Sequence, residues 1–505
     1  MRNNQKILFQ YSSSGRESAQ FARNLERTHV RCCGVLKEPQ DRKFLGDSSS
    51  PVDSESVTPE RFATRTIATT IRSNFVRAGA MSALLLVSVV AQAADGFVDL
   101  FNGRDLSGWV NVNTAASTWT VQDAMIICSG KPIGELRTER MYQNFILEVE
   151  WRHLHPAGNS GIFVWADDIT ARGQPFHRGV EVQVLDGKNG DGYTSHGDVF
   201  PIHGATLTPL NPGPWKGRAY PTESRSKPSP EWNHYRIECN AGAIALAVNG
   251  KVVTRARDAS PRKGYICLES EGGLVHFRNL RLKELPDTPL APDQVARADR
   301  GFRSLYNGID FTGWDYTPAH EGHWIAKDWI LDYDGKSKDL WTAQEFGDFE
   351  MIADWRWTAP PQKALLPVIK PDGEEEKDAD GKTKKVEAPD AGDSGIYLRG
   401  STKSQVNIWC WPVGSGEVYG YRTDASQPPE VRAGVTPKLN ADSSIGEWNR
   451  FHITMVGDRL TVALNDKKVI ENARLPAVPQ RGKIGLQNHG NPIQFANIYV
   501  REIRQ

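Results

Sequence analysis

Glutamates recur on short alternating segments in the first half of this chain. Glu148 and Glu150 lie in Phe145-Ile-Leu-Glu-Val-Glu-Trp-Arg152, Glu181 in Gly179-Val-Glu-Val-Gln-Val-Leu185, and Glu269 and Glu271 in Leu268-Glu-Ser-Glu271. Carboxyl groups gathered at one place raise one another's pKa, so such a set can supply a proton donor and a proton acceptor near neutral pH. Alternation sets Glu148, Glu150 and Arg152 opposite Phe145, Leu147, Val149 and Trp151, and sets Glu181 and Gln183 opposite Val180, Val182 and Val184. Taken as one concave wall, these faces give Glu181, Glu150 and Glu269 as catalytic candidates. Arg152 is the cation for developing negative charge, and Asn159, Phe163, Trp165 and Gln183 are contacts for a ring-shaped substrate. A second cluster follows in Ser195-His-Gly-Asp-Val-Phe-Pro-Ile-His203. There His196 is another candidate base and Asp198 another substrate contact. His196, Asp198 and His203 together could also hold a divalent metal ion, the only cofactor the sequence suggests.

These residues sit in one copy of an internal duplication. Phe97-Val-Asp-Leu-Phe-Asn-Gly-Arg-Asp-Leu-Ser-Gly-Trp109 returns 205 residues later as Phe302-Arg-Ser-Leu-Tyr-Asn-Gly-Ile-Asp-Phe-Thr-Gly-Trp314. In the same order, Glu135-Leu-Arg-Thr pairs with Asp339-Leu-Trp-Thr, Gly158-Asn-Ser-Gly-Ile162 with Gly392-Asp-Ser-Gly-Ile396, and Glu231-Trp-Asn233 with Glu447-Trp-Asn449. Two domains of one fold follow. Across the copies Glu150, Glu181 and Glu269 become Asp354, Gln405 and Gln487. An amide keeps hydrogen bonding but cannot take up a proton near neutral pH, which puts acid/base chemistry on the first copy. The second copy offers Tyr397, Gln405 and Asn407, with Arg399 and Trp409, as a binding face.

The elements that must position these groups are strands. Tyr235–Cys239, Ala243–Gly250 and Leu274–Leu282 alternate as the segments above do, and Asn249-Gly250 is a hairpin turn. With no convincing amphipathic helix, the fold class is all-β, two antiparallel sandwiches in tandem. The expected boundaries are 94–285 for the first sandwich, 286–300 for a stiff Pro-rich linker, and 301–505 for the second, with a mobile charged insertion at 359–391.

Residues 1–93 read as a disordered extension ending in a secretory signal at about 70–93: a basic flank, the apolar run Ala78–Val90 and Ala91-Gln-Ala93. The mature protein is therefore expected to be secreted or periplasmic, with no membrane insertion after signal removal. Lys plus Arg and Asp plus Glu both total 61, so no global field recruits nucleic acid. Beyond the signal remain Cys128, Cys239, Cys267 and Cys410, without zinc-type spacing, and Cys239 falls on an apolar face as a buried thiol.

The Leu-Phe-Asn-Gly opening ending in Gly-Trp, the Asn-Ser-Gly-Ile, Glu-Val-Gln-Val-Leu-Asp and Glu-Trp-Asn strands, and the Phe-Arg-Asn-Leu ending resemble the 3-keto-disaccharide hydrolase domain family, in both copies. The resemblance implies concanavalin A-like jelly-roll sandwiches, export, and a carbohydrate substrate: glycosides oxidised at the C3 hydroxyl. In such a substrate the ketone acidifies the C2 hydrogen, and loss of that proton lets C1 expel its substituent. Glu181 or His196 is the expected base. Direct hydrolysis by two carboxylates is the competing route, and a lectin-like carbohydrate-binding protein is the rival function.

Overall fold

The computed structural model describes residues 96–186, 196–298 and 301–503. The extension, the signal segment and Tyr193 to Ser195 lie outside the described residues.

Each copy is a pair of antiparallel sheets. In the first, Phe145–His153 and Val275–Glu284 form the middle of a nine-stranded sheet. Asn233–Asn240, Ala243–Val248, Lys251–Ser260 and Thr206–Pro209 extend it on one side; Met125–Cys128 and Trp119–Gln122 extend it on the other, and Val98–Asp99 pairs with Val275–Glu284. A six-stranded sheet runs Trp109–Val112, Gly134–Thr138, Tyr265–Ser270, Gly161–Ala166, Gly179–Gln183, Val199–Ile202. Leu136, Ile162, Val180, Val182 and Leu268 of the smaller sheet meet Leu147, Val149, Trp151, Ile237 and Phe277 of the larger one. Period-2 alternation thus turns one side of the central strands into the sandwich; the opposite side of the nine-stranded sheet is half-exposed, while in the six-stranded sheet that side is buried as well.

The second copy repeats this plan with an eight-stranded sheet around Phe349–Trp357 and Ile493–Glu502, and a four-stranded sheet in the order Leu340–Phe346, Gly482–Leu486, Asp393–Leu398, Ser401–Trp409. The tandem all-β, jelly-roll-type reading therefore holds. The insertion expected to be a mobile loop instead forms a hairpin, Gln362–Pro367 against Lys385–Asp390. Its charges pair with one another, Lys363 with Glu387 on the two strands and Lys384 with Glu376 in the segment that joins them. Residues 286–298 are strapped to the first sandwich: Asn144 Nδ2 donates to Pro286 O, Arg262 to Gln294 Oε1, and Arg297 N to Asp167 Oδ1.

The sandwiches are docked through the loop 167–178. Gly173 N donates to Asp354 Oδ2 at 2.7 Å, Arg450 Nη2 to Thr170 O at 2.9 Å, and Asn497 Nδ2 to Ala171 O and Gln174 O. Val112 and Ile169 pack with Phe302, Ile352 and Tyr499 beside them. Asp354, the counterpart of Glu150, is fully buried here and gripped by Arg450 at 2.6 and 2.8 Å.

Candidate active site

The outward side of the six-stranded sheet carries the acids. Glu135 faces Glu269 across one pair of strands, and Phe163 faces Glu181 across another. Between them lies Gly161, opposite Gln183. A Cβ at Gly161 would stand 2.8 Å from Glu269 Oε2 and 2.9 Å from Glu181 Oε1, so the two carboxyl groups converge in the space left by the missing side chain. Glu271, just past the end of its strand, accepts a hydrogen bond from Asn159 Nδ2. The other end of that amide, Asn159 Oδ1, accepts from Gln183 Nε2 at 2.8 Å. Ser160 Oγ donates to the carbonyl of Glu269 at 2.8 Å and ties the two strands at this point.

Burial sets the acidity. Glu269 is 1 % exposed and Glu181 7 %. Burial, then the nearby Glu271 carboxyl, pushes Glu181 up to about 8. Glu271 rises to about 7 through burial, against the stabilising bond from Asn159. Glu269 is raised well above the carboxylate range by burial and then by Glu181 and Glu271. Its Oε2 accepts no hydrogen bond among the described residues. Three acids so placed do not all ionise at neutral pH, and they hold a bound proton beside a group able to accept one. The cation whose field reaches Glu181 is Arg218, which pairs with buried Asp198 at 3.0 Å and lies over the Phe200 ring, opposite Glu181 in the sheet.

The second sandwich holds the same backbone frame with different chemistry. Gln405 and Gln487 occupy the places of Glu181 and Glu269, and Gln405 Nε2 donates to Gln487 Oε1 beside Gly395. Ser394 Oγ donates to Gln487 O, as Ser160 does to Glu269. Tyr397 stacks on Trp341 at 5.2 Å, and Asn407 lies on the same side. Arg399, by contrast, donates to the carbonyls of Gly347, Gly457 and Pro479 and is a structural tie.

The profile of the 3-keto-alpha-glucoside-1,2-lyase-like domain matches residues 96–283 and again 301–501. The chain belongs to this family. A relative from Bacteroides thetaiotaomicron named 3-keto-disaccharide hydrolase is 26 % identical over 240 residues, covering 38 % of this chain and 79 % of the relative. Among solved structures, a Parabacteroides distasonis protein provisionally described as a glycosyl hydrolase is 23 % identical, with a TM-score of 0.31 over 39 % of this chain and 96 % of that one. The carbohydrate-binding module CBM66 from Bacillus subtilis is 11 % identical, with a TM-score of 0.25 over 35 % and 96 %.

Within this family frame the expected residues separate. Glu181, Glu269, Glu271, Asn159 and Gln183 come together as described. Glu150 and Arg152 do not: they project from the far side of the nine-stranded sheet. There Glu150 pairs with Arg278 at 2.7 Å, while Arg152 lies over the Trp232 ring. Trp165 is buried in the core and donates from Nε1 to Gln143 O at 2.7 Å. Its positive φ of 56° and the register shift opposite Tyr265 break the alternation that placed it outward. Phe163 faces the right way but is covered by Phe176, Tyr265 and Cys267, leaving no open ring face for a sugar. His196 is bound to Leu185 O and the Ser224 hydroxyl. The metal trio fails because Asp198 is engaged by Arg218, and His196, Asp198 and His203 do not converge. The carboxylate of Asp198 is taken up by Arg218, so it acts on the site through its charge rather than as a substrate contact.

Sequence reasoning missed Glu135, which faces Glu269, and His177, whose Nδ1 meets Glu135 Oε2. Glu135 was visible as the partner of Asp339 in the repeat, but its place on the acid-bearing side needs the register. His177 lies in the docking loop, where no periodicity points.

Proposed function

We propose that the first sandwich cleaves 3-keto-glycosides by proton transfer at C2 and C1, and that the protein does this outside the cytoplasm after export. The observation that carries the reading is the meeting of Glu181 and Glu269 over Gly161. Glu181, less deeply buried and within the field of Arg218, takes the C2 proton in its ionised form, which gains population as pH rises toward about 8. The electron pair of that C–H bond forms an enolate with the C3 ketone. The enolate then expels the C1 substituent and leaves a C1–C2 double bond conjugated to the ketone. Glu269, the most firmly protonated of the three, gives its proton to the departing oxygen. Water adding at C1, with a proton returned to C2, completes hydrolysis; release before that step gives a lyase. Arg218 replaces Arg152 as the cation for the enolate.

Cleavage of a 3-keto-glucoside in deuterium oxide tests this route. Deuterium at C2 of the released sugar is expected by NMR, and release with no C2 label rules the elimination route out. The second sandwich has its own reading, a carbohydrate-binding platform: the Trp341–Tyr397 stack lies beside the Gln405–Gln487 amide pair, which offers hydrogen bonds without a proton to transfer.

A further inference from the structure

We propose that Glu135, His177 and Cys267 form a site for one divalent transition-metal ion of the zinc type. Their ligand atoms all lie within 4.8 Å of one another, the only such group of three among the described residues. All three side chains are fully buried. Glu135 comes from Gly134–Thr138, Cys267 from Tyr265–Ser270 and His177 from the loop that docks onto the second sandwich. No two are near in sequence.

The hydrogen bonds leave the inward atoms without ordinary partners. His177 Nε2 donates to the carbonyl of Asp168 at 3.1 Å, so Nδ1 presents a lone pair. That lone pair is pressed against Glu135 Oε2, and Cys267 Sγ stands 3.9 Å from the same nitrogen. Neither oxygen of Glu135 accepts a hydrogen bond from a described residue. Lone pairs facing each other in a dry interior repel unless a cation or a proton lies between them. One oxygen, one imidazole nitrogen and one sulfur are donors that suit Zn²⁺ or Co²⁺, not Ca²⁺ or Mg²⁺. The carbonyl behind His177 is the outer support that metal-bound histidines use, and Asp168 is itself held by Arg137 at 2.5 Å.

The duplication supplies a built-in contrast. In the second sandwich the positions of Glu135 and Cys267 carry Asp339 and Gly485, and the Trp341 ring fills the space above Gly485. The ligand set thus belongs to the copy that carries the acids. Glu135 is the cross-strand neighbour of Glu269, so an ion here would pin the docking loop to the floor of the candidate active site. The inference does not depend on the sugar chemistry.

The test uses the full-length protein, stripped with a chelator and titrated with Co²⁺. Saturation at one equivalent is expected, with tetrahedral d–d bands and a thiolate-to-cobalt charge-transfer band that Zn²⁺ abolishes. Both should vanish in Cys267→Ser and His177→Gln and persist in Cys239→Ser, which removes a buried thiol elsewhere. Should the two site variants fail to fold, X-ray absorption on the zinc-loaded wild type decides, with one sulfur at about 2.3 Å and one nitrogen at about 2.0 Å expected. Folded wild type that takes up no stoichiometric cobalt, or a metal shell without sulfur, overturns the proposal in favour of a proton shared between Glu135 and His177.

Discussion

Replacing Glu181 with glutamine should make the protein more stable at neutral and alkaline pH, although it removes a proposed catalytic group. In the folded protein burial and Glu271 hold the Glu181 pKa near 8, against an ordinary value of 4.5. The folded state therefore keeps a proton that the unfolded chain releases. For a group raised in this direction, the stabilisation is complete below about 4.5 and is lost as pH rises through about 8. Integrated from pH 5 to 8, the loss is roughly 3 kcal/mol, taking 1.36 kcal/mol per pH unit for a single titrating group. Glutamine fills nearly the same volume and carries no titratable proton, so this pH dependence should disappear. Urea unfolding of wild type and Glu181→Gln should agree closely at pH 5 and diverge by roughly 3 kcal/mol at pH 8, with the variant more stable. Parallel stability curves across that range would refute the claim that Glu181 is buried in competition with other acids.

Other perturbations separate the site from its scaffold. Gly161→Ala inserts a Cβ between the two carboxyls; it should cost about 1–3 kcal/mol in thermal unfolding and at least about a hundredfold in kcat. Arg152→Ala and Glu150→Gln should leave turnover within about twofold of wild type. They lie behind the other sheet, and the half-exposed Glu150–Arg278 pair is worth under about 1 kcal/mol. Asp354→Ala leaves the Arg450 guanidinium and Gly173 N–H without their acceptor at the docking surface. A loss of about 3–5 kcal/mol is expected, read as a lowered melting temperature and faster proteolysis at the loop 167–178.

Pattern arguments reached some of these groups and not others for a physical reason. Period-2 alternation reports whether a side chain points into the sandwich or away from it, which is why Glu150 and Glu181 both read correctly as outward. Alternation is silent on which of two sheets a strand joins, and those two outward sides lie on opposite surfaces of the domain. The copy comparison did better at Glu181 and Glu269, since Gln405 and Gln487 fall in the same frame around Gly395. It misled at Glu150, whose counterpart Asp354 answers to the docking loop instead of to any substrate. Trp165 and Arg399 share a left-handed backbone, φ 56° and 52°, at matching positions, and neither follows the alternation that its strand implies. Glu135, His177 and Cys267 come together only through register and a loop, which no local spacing encodes. The family resemblance, carried by motifs spread across both copies, needed none of this geometry.

The central claim is that the acids over Gly161 perform the chemistry and that their amide counterparts over Gly395 do not. It is tested most directly by the release rate from a chromogenic 3-keto-glucoside. Glu181→Gln should lower kcat by about a thousandfold or more, while Gln405→Ala leaves it within about threefold of wild type. Undiminished turnover in Glu181→Gln, or a collapse in Gln405→Ala with the first sandwich intact, would contradict the account.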